Sequence, residues 1–109
     1  MTAIALLSAE QRAALAHQLP LWTQQDARGG VLLRTFVFAD FAQAFQFMTA
    51  VAAEAERLDH HPEWRNVYHR VEVLLTTHDA GGLTTRDVAL AQAMDRIAGA
   101  ISRQGGNVA

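Results

Sequence analysis

Five histidines carry the readiest chemistry in this chain, because an imidazole with an ordinary pKa of about 6.5 can both give and take a proton near neutral pH. Two of them, His60 and His61, adjoin in the stretch ERLDHHPEWRNVYHRV, which runs from Glu56 to Val71. Pro62 pushes His61 toward extended backbone, where neighbouring side chains point to opposite sides, so the two rings do not form a matched pair. A plainer explanation also fits: Asp59 to Pro62 could simply end a helix, with imidazoles beside its negative end. His17 lies in a helical pattern and His69 alternates with valines, which suits surface or structural roles. Trp64 and Tyr68 suit core aromatics near strands, and Asp87 suits a helix cap. Glu56 is a mild misfit, since its charge sits beside a helix C-terminus. A metal centre finds little support, with no cysteine, no HExxH and no histidine pair at helical i, i+4 spacing.

The elements that must position these residues follow from caps and periodicity. Ser8 and Gln11 have capping-box spacing ahead of a first helix that Pro20 stops. LWTQQDARGGVLLRTFVF reads as a hairpin with its turn at Asp26 to Gly30. Its second strand, Val31 to Phe38, is apolar on both faces and so belongs inside a sheet or under cover on both sides. Asp40 and Gln43 repeat the capping spacing before a central helix. There Phe41, Phe45, Met48, Ala52 and Ala55 recur at helical intervals, flanked by Phe47, Val51 and Leu58. NVYHRVEVLLTTH alternates, with Val67, Val71, Val73 and Leu75 expected on one face and Tyr68, Arg70, Glu72, Thr76 and His78 on the other. This is one long strand or two joined by a bend. DAGG is a turn, and Thr84 with Asp87 opens a last helix whose core face is Leu90, Met94, Ile97 and Ile101. The expected fold is α+β: a four-stranded antiparallel sheet with three helices on one face, in the order α-β-β-α-β-β-α. One domain spans residues 1–109, with a frayed tail over 103–109.

A chain that is 50% hydrophobic and 18% charged has the balance of a folded domain, and the disordered class is set aside. A formal charge of -2 with nine scattered Lys and Arg offers no footprint for phosphate backbones, so direct nucleic-acid binding is not expected. The opening MTAIALLSAE lacks the basic start of a signal peptide and is too short to span a membrane. With no cysteine, the expectation is a cytoplasmic protein without membrane attachment.

One constellation goes beyond these separate readings. Glu56, three residues, His60-His61-Pro62, five residues, Tyr68, nine residues, His78, eight residues and Asp87 stand in order. This pattern resembles the signature of the pterin-4a-carbinolamine dehydratases, every position being filled. The stretch from Asp40 to Ala91 is similar to that family nearly throughout, and a looser likeness begins around Leu7. The resemblance implies an enzyme that removes water from a 4a-hydroxytetrahydropterin, giving the quinonoid dihydropterin that is recycled for aromatic amino acid hydroxylases. It maps the active-site histidines to His60, His61 and His78 and the supporting carboxylates to Glu56 and Asp87. It makes Trp64 a wall of the pocket and Asp59 a weaker supporting candidate. His61 and His78 are then assigned to proton transfer and His60 to binding and polarising the substrate, with no metal or cofactor. A homodimer or homotetramer is implied as well. The alternative is a non-catalytic scaffold, since animal members of the family also act as dimerisation cofactors of a homeodomain transcription factor, through the helical surface. A scaffold has no reason to keep the complete histidine set.

Overall fold

In the computed structural model, which describes residues 4–105, each expected cap stands at a helix start. Helix α1, Ala9–Gln18, opens on a complete box: Ser8 Oγ accepts from the Gln11 N–H at 3.1 Å and Gln11 Oε1 accepts from the Ser8 N–H at 2.8 Å. Helix α2, Phe41–Leu58, opens with Asp40 accepting from the Gln43 N–H, while the Gln43 side chain accepts one residue further out, from Ala39. Helix α3, Thr85–Gly105, begins with Asp87 accepting from the Thr84 N–H. It stays helical through Gly105, and the rest of the expected tail lies outside the described residues.

Strands β1 (Thr23–Gln25), β2 (Val31–Val37), β3 (Glu63–Val67) and β4 (Arg70–Leu75) form an antiparallel sheet in the order β1-β2-β4-β3. The apolar strand β2 is interior, as its sequence requires. Its register pairs Leu32 with Leu75 and Phe36 with Val71, which puts these four side chains, with Val73, on the face covered by the helices. The opposite face, carrying Leu33, Thr35, Val37, Glu72 and Leu74, is only half-buried or exposed. The three helices therefore pack on one side. At the centre of that layer the Phe47 ring lies 4.6 Å from Phe36 and 5.0 Å from Phe38, all three fully buried. Each such ring contributes about 1.5–3 kcal/mol relative to an exposed one.

Two details depart from the pattern reading. Helix α2 buries Phe47 and Val51 from the stripe expected to flank, together with Ala44 and Ala55, while Phe41 and Phe45 stand 47% and 54% exposed. At 3.6 residues per turn the two stripes lie only about 100° apart, and periodicity alone does not say which one the sheet receives. The run from Asn66 onward takes the second of its two expected forms, two strands joined by a turn, and Tyr68, at φ 51°, makes that turn. The Asn66 amide donates to the carbonyls of Tyr68 and Arg70 and secures the turn. Val67 is consequently paired with Arg70 and exposed, not on the core face with Val71. Among the described residues no helix is long and apolar enough to cross a membrane.

Candidate functional site

Helix α2 ends because Asp59 takes the left-handed conformation, φ 50°, which aspartate tolerates better than most residues, and its N–H caps the carbonyls of Ala55 and Glu56. That reversal places His60 inward and His61 outward. His60 is buried, and its Nε2 lies 2.6 Å from Asp87 Oδ1. His61 is mostly exposed, and its Nε2 lies 2.5 Å from Glu56 Oε2, five residues back on the last turn of α2. The unfavourable placement of Glu56 at a helix end thus has a partner. At the far end of β4, a short 3-10 turn, His78–Ala80, presents His78 to the same region.

These elements frame one cleft of about 220 Å³, lined by Asp59, His60, His61, Thr76, Thr77, His78, Asp79 and Arg86. Three imidazoles from two separate segments line it together, and Asp59 does so too. Glu56 and Asp87 are not in its lining; they reach it through hydrogen bonds to His61 and His60. Trp64 is half-buried against the core, on the helix-covered side of β3, and is not one of the lining residues. His17 is exposed on α1 and His69 lies in the turn at the other end of β4. A larger cleft of about 480 Å³ between α1 and α3 holds no imidazole.

The hydrogen bonds fix donor directions. Asp87 is completely buried and accepts from three donors: His60 Nε2–H, the Thr84 N–H at 2.9 Å and the Thr77 hydroxyl at 2.8 Å. With its one proton committed to Asp87, Thr77 must accept from Thr84 Oγ1, 2.8 Å away, and Thr84 in turn accepts from the Arg86 N–H. One carboxylate therefore caps α3 and orients an imidazole at once. Because an ionised carboxylate only accepts, His60 and His61 both carry a proton on Nε2, leaving Nδ1 as the ring nitrogen open to a ligand.

Several partners were not legible in the sequence. Arg28, in the turn Ala27–Gly29 between β1 and β2, donates to both oxygens of Glu63 at 3.1 and 2.6 Å, and its Nη2 lies 2.7 Å from His78 Nε2. Arg28 sits 50 residues from His78 in the chain, and only the pairing of β2 with β4 brings the two together. Thr77 and Thr84 gave no signal beyond adjacency to His78 and a capping position. The guanidinium of Arg28 is the first cause holding the Glu63 carboxyl below the usual glutamate range. No group of three or more histidine, aspartate or glutamate side chains among the described residues is placed to hold a metal ion.

A model of the pterin 4 alpha carbinolamine dehydratase family matches residues 5–97. A protein of Bradyrhizobium sp. (strain ORS 278), provisionally named a pterin-4-alpha-carbinolamine dehydratase, is 59% identical over 96 residues, covering 88% of this chain and 95% of its own. A similarly named protein of Rhodopseudomonas palustris (strain BisB18) is 56% identical over 96 residues, covering 88% of this chain and 94% of its own. The crystal structure of a transcriptional coactivator/pterin dehydratase from Brucella melitensis superposes with a TM-score of 0.80 at 42% identity, covering 85% of this chain and 98% of the other. A pterin dehydratase-like protein, described as a RuBisCO assembly factor in the alpha-carboxysome, matches at 30% identity and a TM-score of 0.64, covering 76% and 95%.

Proposed function

The chain belongs to the pterin 4 alpha carbinolamine dehydratase family, and on that premise we propose that it removes water from a 4a-hydroxytetrahydropterin in the cytoplasm by histidine acid–base catalysis, returning a quinonoid dihydropterin for reuse by aromatic amino acid hydroxylases. The observation that carries this reading is the convergence of His60, His61 and His78 on one cleft, two of them held at Nε2 by carboxylates.

The reaction asks for two proton movements. The C4a–O bond breaks as the adjacent ring nitrogen shares its lone pair with C4a; the departing oxygen takes a proton and leaves as water, and the nitrogen gives one up. Two imidazoles in opposite protonation states supply both, each positioned group being worth about 10²–10⁴-fold. His61 and His78 take these roles, since both are more exposed than His60 and free to exchange protons with water afterwards. His60, locked by the buried Asp87, is suited to hold and polarise the substrate through Nδ1. Glu56 and Asp87 orient their rings by accepting from Nε2–H, Asp59 contributes to the rim, and Trp64 supports β3 from behind. The family's metal-free and cofactor-free chemistry extends to this chain in the same proposal, as does assembly into a homodimer or homotetramer.

A second reading has its own observation. Phe41 and Phe45 are exposed and 5.7 Å apart, forming an apolar patch on α2, and one solved relative is described as an assembly factor. A scaffold role through this surface is compatible with catalysis in the cleft. The deciding experiment is stopped-flow absorbance of 4a-hydroxytetrahydropterin as it forms and decays. Decay faster than the spontaneous rate, in proportion to added protein, supports the dehydratase; an unchanged rate leaves the scaffold.

A further inference from the structure

His60, His61 and His78 are not treated alike by their surroundings. At His60 and His61 a carboxylate oxygen sits within 2.6 Å of Nε2. At His78 the corresponding carboxylate, Glu63 Oε2, stands back at 3.4 Å, and the Arg28 guanidinium has taken the closer place at 2.7 Å. A guanidinium has five N–H donors and no acceptor, so His78 Nε2 must offer its lone pair there, and the single proton of the neutral ring lies on Nδ1. His78 is thus the opposite tautomer of the other two. With Nε2 engaged, Nδ1 is the nitrogen left for a ligand, and in this form it has no lone pair to take a proton. It could give its proton only by leaving an imidazolate. A proton on Nε2 reverses the arrangement: donor would face donor at Arg28, while Glu63 becomes the matching acceptor.

We propose that Arg28 and Glu63 are positioning residues that exchange places at His78 Nε2, Arg28 holding the ring in a resting tautomer and Glu63 receiving its Nε2–H form, the only form in which Nδ1 can shuttle a proton. The catalytic consequence rests on the dehydratase reading; the exchange of partners does not.

The pair is built to stay in place. Arg28 lies in the left-handed region, φ 56°, which a non-glycine residue adopts at a cost of about 1 kcal/mol or more unless its surroundings hold it. They do. A Cβ on Gly29 would come within 1.8 Å of the Gly81 carbonyl oxygen, and one on Gly82 within 2.4 Å of the Gly29 oxygen, so only glycines let the Arg28 turn press against the loop that follows His78. The Thr76 hydroxyl donates to the Gly30 carbonyl at 2.8 Å and ties the same turn to the end of β4. The Arg28 guanidinium, first among the causes, holds the Glu63 carboxyl below the usual glutamate range. The other charged or titratable groups near His78 are Asp59, His60 and His61 after α2, Asp79 beside it and Arg86 at the start of α3, all lining the cleft.

The test is long-range ¹H–¹⁵N NMR of the ligand-free protein, which distinguishes the nitrogens of a neutral histidine, applied to wild type, Arg28→Ala and Glu63→Gln above the histidine titration. His78 in wild type should show an unprotonated Nε2, and Arg28→Ala should move the proton to Nε2. In the dehydration assay Glu63→Gln should lower kcat by about 10-fold with little change in KM, the scale for removing the outer partner of a functional imidazole. Arg28→Ala should shift the pH profile of kcat, whereas Arg28→Lys should keep the wild-type tautomer. A wild-type His78 already protonated on Nε2, or a tautomer indifferent to Arg28→Ala, overturns the exchange even if the protein dehydrates pterins. The converse pattern, tautomer exchange in a protein that leaves the substrate's decay unchanged, overturns the dehydratase reading alone.

Discussion

Replacing Asp87 by alanine removes one acceptor from three buried donors: the His60 ring N–H, the Thr77 hydroxyl and the Thr84 N–H. Each donor left without a partner in a buried site costs about 1–3 kcal/mol. Thr77 can rotate its proton toward Thr84, and water from the cleft can reach His60, so the sum contracts to about 3–5 kcal/mol, the range for breaking a buried polar pair. For a domain whose whole stability is about 5–15 kcal/mol this leaves a marginal fold. At about 1–3 kcal/mol per molar urea, the unfolding midpoint followed by circular dichroism should fall by about 1–5 M. Asp87→Asn separates stability from orientation. Its oxygen can keep accepting from Thr84 only if its amide turns toward His60, which then must accept at Nε2 and carry its proton on Nδ1. The variant should stay folded, lose about 1–2 kcal/mol for one mismatched donor, and show His60 in the opposite tautomer by ¹⁵N NMR. An Asp87→Ala protein with the wild-type midpoint, or an Asp87→Asn protein with an unchanged His60, would show that this network does not hold the ring.

Other expectations can be checked together. Sedimentation at micromolar concentration should show a homodimer or homotetramer, and Phe41→Lys with Phe45→Lys should weaken it if that patch is covered; a wild-type protein found only as monomer refutes the assembly. Chelator should leave dehydration untouched, and activity lost to EDTA and restored by zinc refutes the metal-free mechanism. Since Glu63 is held below the usual carboxyl range, its pairing with Arg28 contributes fully above the unfolded value of about 4.3 and fades as pH falls through the depressed one. The Arg28→Ala variant should return the Glu63 midpoint, read by carboxyl ¹³C shifts, toward the ordinary range; an unmoved midpoint argues against the ion pair.

Caps and turns were legible in the sequence because they are local: Ser8 with Gln11, Asp40 with Gln43 and the DAGG turn depend on residues within one turn of each other. The α+β order followed from them. Which stripe of α2 meets the sheet was not legible, because Phe41 and Phe45 are as apolar as Phe47 and Val51, and burial is decided by neighbours distant in sequence. The face of Val67 was hidden for another reason: Tyr68 adopts a left-handed turn that its residue type does not announce, so the alternation does not run through it. In the site, the Glu56, His60, His61, His78 and Asp87 spacing pointed to the cleft through a family resemblance. Read locally, Asp87 is a cap and Glu56 a misfit; in the fold Asp87 both caps α3 and partners His60, while Glu56 partners His61. Arg28 and Glu63 were invisible, since nothing links a hairpin turn to His78 until β2 pairs with β4.

The central claim is that imidazoles in the cleft move the protons, and it is tested most directly by single-turnover decay of 4a-hydroxytetrahydropterin with wild type, His61→Ala, His78→Ala and the double variant, each shown to be folded. Each single replacement should lower the catalysed rate by about 10²–10⁴-fold while a stable dihydropterin analogue still binds. The double should cost far less than the product of the singles, because the two act as one unit. If both single variants keep the wild-type kcat, the histidines are structural and the account fails.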